Sequence, residues 1–278
     1  MALYGGSFTA IPAVMQVELF EAAKPFLEDG TIDSIRLSTR PDAIDGETLE
    51  RLKHYGVTTV ELGAQSMNDR VLYLSGRGHR AKEVEDASRM IKAAGFKLIL
   101  QMMTGLPGDS DEITVETAEK IIALQPDGVR IYPTVIVRDT ELYDMWRQGD
   151  YAEHTVEDAV RRCSRIVPLF EQADIPVIRL GLNPTEDLSG GDAVGGAYHP
   201  ALGELVYSRI MRDCAEELLR GVKEGSAVVL GVNPADISKA IGQHRCNIEY
   251  LSEKFGLKSL KIKSCDIDKS KIIVTSLE

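Results

Sequence analysis

The side chains able to do chemistry in this 278-residue chain are spread over several short polar stretches instead of one compact motif. They are Gly5-Gly6-Ser7, Ser38-Thr39-Arg40-Pro41, Gly63-Ala64-Gln65-Ser66, Thr104-Gly105-Leu106-Pro107 and Pro133-Thr134, joined by Arg77 in the stretch Ser75-Gly76-Arg77-Gly78-His79. Several kinds of chemistry are excluded by spacing. The four cysteines, Cys163, Cys214, Cys246 and Cys265, are at least 19 residues apart, so no CxxC pair exists to grip a metal. The five histidines share no ligand spacing either, and no metal site is expected. Asp109, Asp111 and Glu112 precede a helix, where carboxylates favour the positive end of the dipole, so they read as capping groups and not as an acid/base pair. The glycines at 190, 191, 195 and 196 suggest a mobile loop, but no GK[ST] follows them. What remains is a ligand site assembled from the ends of successive elements.

Those elements follow from the hydrophobic pattern. Short β-rich runs occur at Ala2–Tyr4, Ser34–Ser38, Thr58–Leu62, Lys97–Met103, Gly128–Tyr132 and Pro176–Gly181. Between them the apolar spacing is helical. Val156, Ala159, Val160, Cys163, Ile166, Val167 and Phe170 trace one face, as do Val84, Ala87, Ile91 and Ala94 before Gly95. Asp111 is the expected cap of a helix running to Leu124. Strands alternating with helices imply right-handed crossovers and a parallel sheet. No GxGxxG follows the first strand, and the polar stretches recur after nearly every strand, so a partial TIM-like (βα)6 barrel is expected over a dinucleotide fold. All the polar stretches then lie at the C-terminal ends of strands. The first strand is short, so the chain reads as beginning in mid-element.

Composition places the chain among ordinary globular proteins, 44% hydrophobic and 27% charged. No apolar run reaches the ~18 residues of a membrane span, and no secretion signal is visible. Thiols without pairing motifs suggest a reducing cytoplasm. The net charge of -11 argues against broad nucleic-acid coating. Residues 226–278 differ: eight basic against six acidic side chains, net +2, leaving -13 on the rest. Two domains are expected, at 1–222 and 226–278.

Five blocks, YGGSFTAIP (4–12), STRPDAI (38–44), VELGAQSMNDRVLYLSGRGH (60–79), AAGFKLILQMMTGLPG (93–108) and RIYPTVIVRDTELYDMWRQGDY (130–151), together resemble the radical S-adenosylmethionine half of the Elongator catalytic subunit. The resemblance runs from Met1 to about Arg220. It implies a partial (βα)6 barrel, S-adenosylmethionine and a [4Fe-4S] cluster as cofactors, and the wobble uridine of tRNA as the target. Carried over by position, Gly5 and Gly6 match the turn that receives the cofactor's amino group, and glycine leaves room for that approach. Ser38 matches a ribose-contacting position often held by Glu. Gln65 matches a glutamine near the ribose, Arg77 a basic residue facing the carboxylate, and Gln101 and Met103 positions near ribose and adenine. A guanidinium fork is the natural partner of a carboxylate.

The same resemblance calls for three cysteines at CxxxCxxC spacing upstream of the Gly-Gly turn, and this sequence contains no such triplet. The chain is therefore expected to be either a degenerate relative or, the favoured reading, a fragment or internal-start version of a longer enzyme, inactive as it stands and unable to bind the cluster. The segment 232–267 resembles a KH RNA-binding unit in a small α+β domain: helix, Ile241-Gly242 turn, helix, strand. In it Arg245 takes the place of the last Gly of the GxxG loop. That turn would offer backbone amides to phosphates, with Lys239, Gly242, Arg245 and Lys254 as the RNA-contacting set; a structural cap is the competing role. RNA, tRNA above all, is the expected partner, with no membrane and no DNA. Two other readings stay open: an oxygen-independent coproporphyrinogen oxidase-like enzyme, and a non-catalytic RNA-binding protein.

Overall fold

A computed structural model describes residues 1–5, 7–183 and 191–277. Gly6, and Gly190 of the glycine loop, lie outside the described residues. The chain divides into two compact units, one of residues 1–155 with 166–198, the other of residues 156–165 with 199–278.

The first unit begins with β1 (Ala2–Leu3), α1 (Ala13–Glu28), β2 (Ile35–Thr39), α2 (Gly46–His54) and β3 (Val57–Gln65). It continues through α3 (Asp69–Leu74), α4 (Ala81–Ala93), β4 (Lys97–Thr104), α5 (Asp111–Ala123) and β5 (Gly128–Pro133). Then come β6 (Val135–Val137), α6 (Glu141–Gln148), α7 (Val156–Gln172), whose first ten residues belong to the other unit, β7 (Val177–Leu180) and β8 (Ala193–Gly196). Strands β1, β2, β3, β4, β5 and β7 pair in that order, all parallel, as a curled half-barrel with helices. This is the fold class expected from the alternating pattern.

Alternation along each strand sorts the two faces. Ile35, Leu37, Val60, Leu62, Leu98, Leu100, Met102, Val129 and Ile131 are buried, each stabilising by about 1.5–3 kcal/mol. The intervening residues Arg36, Ser38, Gly63, Gln101, Arg130 and Tyr132 are only partly buried and polar or small, and they form the other face. Register fixes their neighbours: Ser38 lies opposite Glu61, and Gly63 opposite Gln101, which lies opposite Arg130.

Local rules account for most element ends. Asp45 accepts from the Thr48 amide at 2.7 Å to start α2, and Asn68 caps α3. The cap of α5 is Ser110, accepting from Ile113 at 3.2 Å, instead of the expected Asp111. Asp109 is occupied elsewhere, accepting from the Gly105 amide at 2.7 Å and the Thr114 hydroxyl at 2.9 Å. A carboxylate there rigidifies the Thr104–Gly108 turn. Part of the expected glycine loop is instead β8, antiparallel to β6.

The second unit adds α8 (Leu202–Leu219), β9 (Ala227–Val232), α9 (Ile237–Ile241), α10 (Cys246–Lys254), β10 (Ser259–Ser264) and β11 (Ile272–Leu277). Strand β9 is central, parallel to β10 and antiparallel to β11. The sequence reading assigned α8 to the barrel domain. The structure packs Ala215 and Leu219 of α8 with Val228, Leu230, Ile248, Leu251 and Leu260 in one core, so this unit begins near residue 199 and not at 226. The small sheet buries one face, and α8 supplies the apolar side chains that cover it. Asn247 ties the helices together, its amide donating to the Ser208 and Lys239 carbonyls at 2.9 and 3.0 Å.

Candidate functional site

At the C-terminal ends of β2, β3 and β4 a cleft of about 430 Å³ is lined by Ser7, Ser38, Thr39, Arg40, Gly63, Gln65, Gly76, Arg77, His79 and Gln101. Of the residues anticipated from sequence, Ser38, Gln65, Arg77 and Gln101 converge here. Gly5 is exposed, with φ +120°, and does not line the cleft, although Ser7 beside it does. Met103 sits on the adjoining wall, an apolar cavity of about 290 Å³ that also includes Arg77, Leu106, Pro107 and Val135.

Gln65 is placed by an irregularity. The β3–β4 register slips between Gly63 and Gln65, and Gln65 takes the left-handed conformation at φ 63°. Such a bulge re-aims a side chain, at about 1–3 kcal/mol of backbone strain. The glycine two residues earlier makes the geometry possible: a Cβ on Gly63 would stand 2.6 Å from Gln65 Nε2. Gln101 Nε2 then donates to Gln65 Oε1 at 3.4 Å, so two amides face the cleft side by side.

Arg77 dominates the electrostatics. Its Nε is buried with no hydrogen-bond partner, and its Nη2 lies 3.0 Å from Met103 Sδ. Burial depresses its pKa below the usual arginine value, since no acid compensates it. Among the ten lining residues none is acidic. Arg40 adds a second cation, paired at 2.5 Å with Asp42 outside the cleft, and its Nη2 donates to the Arg77 carbonyl at 3.5 Å. His79 Nε2 lies 3.2 Å from the Ala64 carbonyl while its Nδ1 is buried without a partner. An acid-free cleft whose guanidinium keeps an unpartnered Nε suits a carboxylate, and the two amides suit hydroxyls. The residues present therefore fit the amino-acid and ribose portions of S-adenosylmethionine. They do not fit an iron–sulfur cluster: among the described residues no group of three or more His, Cys, Asp or Glu side chains could hold a metal, and the four thiols are free.

On the inner face below the cleft lies a network that the sequence reading missed. Glu61 is only 2% exposed. Arg130 Nε is 3.2 Å and Arg36 Nη2 3.6 Å from its Oε2, with the Tyr4 hydroxyl at 3.5 Å. Burial raises its pKa, outweighing the opposing pull of the two arginines and Tyr4.

Comparison with known proteins agrees with this architecture. The model for the radical SAM superfamily matches residues 1–121, and that for the radical SAM C-terminal domain matches residues 126–212. The chain belongs to the radical SAM superfamily. Within that superfamily its relatives include the tRNA uridine(34) acetyltransferase of Methanocaldococcus infernus, 31% identical over 174 residues, covering 62% of this chain and 32% of that protein. Elongator complex protein 3 of Bos taurus is 31% identical over 179 residues, covering 63% and 32%. The solved archaeal Methanocaldococcus infernus Elp3 with N-terminus deletion is 27% identical with a TM-score of 0.65, covering 76% of this chain and 53% of that one. Coproporphyrinogen III oxidase from Escherichia coli, at 17% identity and TM-score 0.51, shares the fold alone. The radical SAM chain described here spans about a third of the length of these curated relatives.

In the second unit the four residues expected to contact RNA fare unequally. The Gly242 amide donates to the Ser238 carbonyl at 2.9 Å, closing α9, so it is not presented to a phosphate as the turn reading required. Lys239 pairs with Asp236 at 2.8 Å and Lys254 with Glu216 at 2.5 Å. Arg245 is exposed, at φ 65°. No helix is long and apolar enough to cross a membrane among the described residues.

Proposed function

We propose that this chain is the cofactor-binding barrel of a tRNA wobble-uridine-modifying radical SAM enzyme of the Elongator catalytic-subunit type. The observation that carries the reading is the half-buried, acid-free setting of Arg77, with its Nε buried and unpartnered, beside Gln65, Gln101 and Met103. When bound, S-adenosylmethionine supplies the reagent for hydrogen abstraction, and the protein orients it. Arg77 receives the carboxylate, Gln65 and Gln101 the ribose hydroxyls, and the apolar wall with Met103, Leu106 and Val135 the adenine edge. Ser38 and Ser7 offer hydroxyls to the remaining polar groups at the mouth.

The thiols of this chain are not brought together, so we propose that the chain alone holds the cofactor weakly and does not cleave it. Relatives named for tRNA uridine(34) modification support tRNA as the substrate. The KH-like unit contributes charge through Arg245 and the exposed Lys261 and Lys263. A cytoplasmic location follows from that role. The test is calorimetric titration of S-adenosylmethionine against wild type and Arg77→Met: measurable binding that Arg77→Met abolishes supports the placement, while equal affinity removes it.

A further inference from the structure

A second cavity, of about 500 Å³, opens beside the cofactor cleft and shares Gly76 and His79 with it as a common wall. Its other walls include Asp69, Tyr73, Gly78 and Arg80. Tyr73, on α3, is 83% exposed, more than any other large apolar or aromatic side chain described. A single exposed aromatic is ordinary on a protein surface. This one stands at the mouth of a cavity whose other side is the reaction cleft.

The charges around it are sorted. Asp69 accepts from the Ala81 amide at 2.9 Å, and Glu83 from the Arg80 amide at 2.5 Å, so both carboxylates are committed to starting α4. The guanidiniums of Arg70 and Arg80 are exposed and make no ion pair among the described residues. Arg70 precedes Tyr73 by three positions, which puts both on one face of α3. A solvent-facing ring flanked by two uncommitted cations is the arrangement that holds an unpaired base by stacking and its phosphates by charge.

We propose that Tyr73 is a stacking platform for a nucleobase of single-stranded RNA, seating the substrate strand at the cofactor cleft with Arg70 and Arg80 on the flanking phosphates. This rests on the RNA-directed function proposed above. The ring does the work, so Tyr73→Phe keeps it and Tyr73→Ala removes it. Because the side chain is exposed, neither variant disturbs the core.

The test is fluorescence anisotropy with an end-labelled anticodon stem-loop RNA, paralleled by a second RNA carrying 2-aminopurine in the loop. Tyr73→Ala should weaken binding about tenfold and abolish the quenching of 2-aminopurine that wild type and Tyr73→Phe produce. Arg80→Gln should flatten the log-salt slope by about one, while Tyr73→Ala leaves the slope unchanged. Wild-type binding that Tyr73→Ala does not weaken would overturn the platform and leave the RNA function standing. No binding by wild type at low salt would overturn the RNA function and the platform with it.

Discussion

Replacing Arg77 by Met should raise stability and weaken cofactor binding together. In the structure Arg77 is half-buried, its Nε is buried without a partner and no acid lines the cleft. An unsatisfied buried donor costs about 1–3 kcal/mol, and more where charge is involved. Methionine matches the aliphatic stem and removes the donor, so the unliganded protein should gain about 1 kcal/mol, or about 2 °C in Tm for a chain of this size. The same change deletes a charge-assisted contact to the ligand carboxylate of about 1.5–3 kcal/mol, a loss of about 10- to 150-fold in affinity. Differential scanning fluorimetry reads the first effect and calorimetry with S-adenosylmethionine the second. A variant that melts lower and binds the cofactor as tightly as wild type would refute the reasoning, because Arg77 would then be a structural residue with a partner already in place.

Other substitutions probe the surroundings. Gly63→Ala should push Gln65 Nε2 out of its place, since the new Cβ would stand 2.6 Å away, and weaken cofactor binding several-fold at little cost in Tm. Glu61 has a folded-state pKa above its ordinary 4.5, so the folded state holds its proton more tightly than the unfolded chain, and this group's contribution to stability falls as pH rises from about 4.5 through its folded value. Glu61→Gln should flatten that part of the Tm-against-pH curve; an unchanged slope would mean that the arginines, not burial, govern the group. Gly242→Ala should destabilise the second unit by about 1–3 kcal/mol, because φ is +77° and its Cβ would meet Cys246 Sγ at 2.6 Å, and thermal melting would show it. Reconstitution of this chain with iron and sulfide should leave no stoichiometric iron after desalting, as read by absorption near ~400 nm, given thiols that the fold does not gather.

The half-barrel was legible because β2 through β5 carry apolar residues on their buried face and polar ones on the other, bounded by glycine and proline. Strand ends shifted by one to three residues, most at β3, where the bulge extends pairing to Gln65. Strands β9 and β11 went unassigned although Ala227–Val232 is a continuous apolar run and Ile272–Leu277 is rich in β-branched residues; both signals were present. The three residues of β6 were too short to show a period. Gln65, Arg77, Ser38 and Gln101, which line the cleft, were named through family blocks, whereas Gly63 and Arg40 were named only as members of polar stretches with no role of their own, since a glycine's role in clearing space is visible only once its neighbour's side chain is placed. The Glu61 network joins residues from four parts of the chain, and no local pattern announces a contact made by strand register. Charge counting marked the tail as basic, yet Lys239 and Lys254 each found a carboxylate on folding, a pairing that net charge does not reveal.

A crystal structure of this chain with S-adenosylmethionine tests the central claim most directly. The account predicts the cofactor in the strand-end cleft, its carboxylate within hydrogen-bond distance of Arg77 and its ribose hydroxyls on Gln65 and Gln101. Cofactor density elsewhere on the molecule, or density in the cleft with the carboxylate turned away from Arg77, would contradict it.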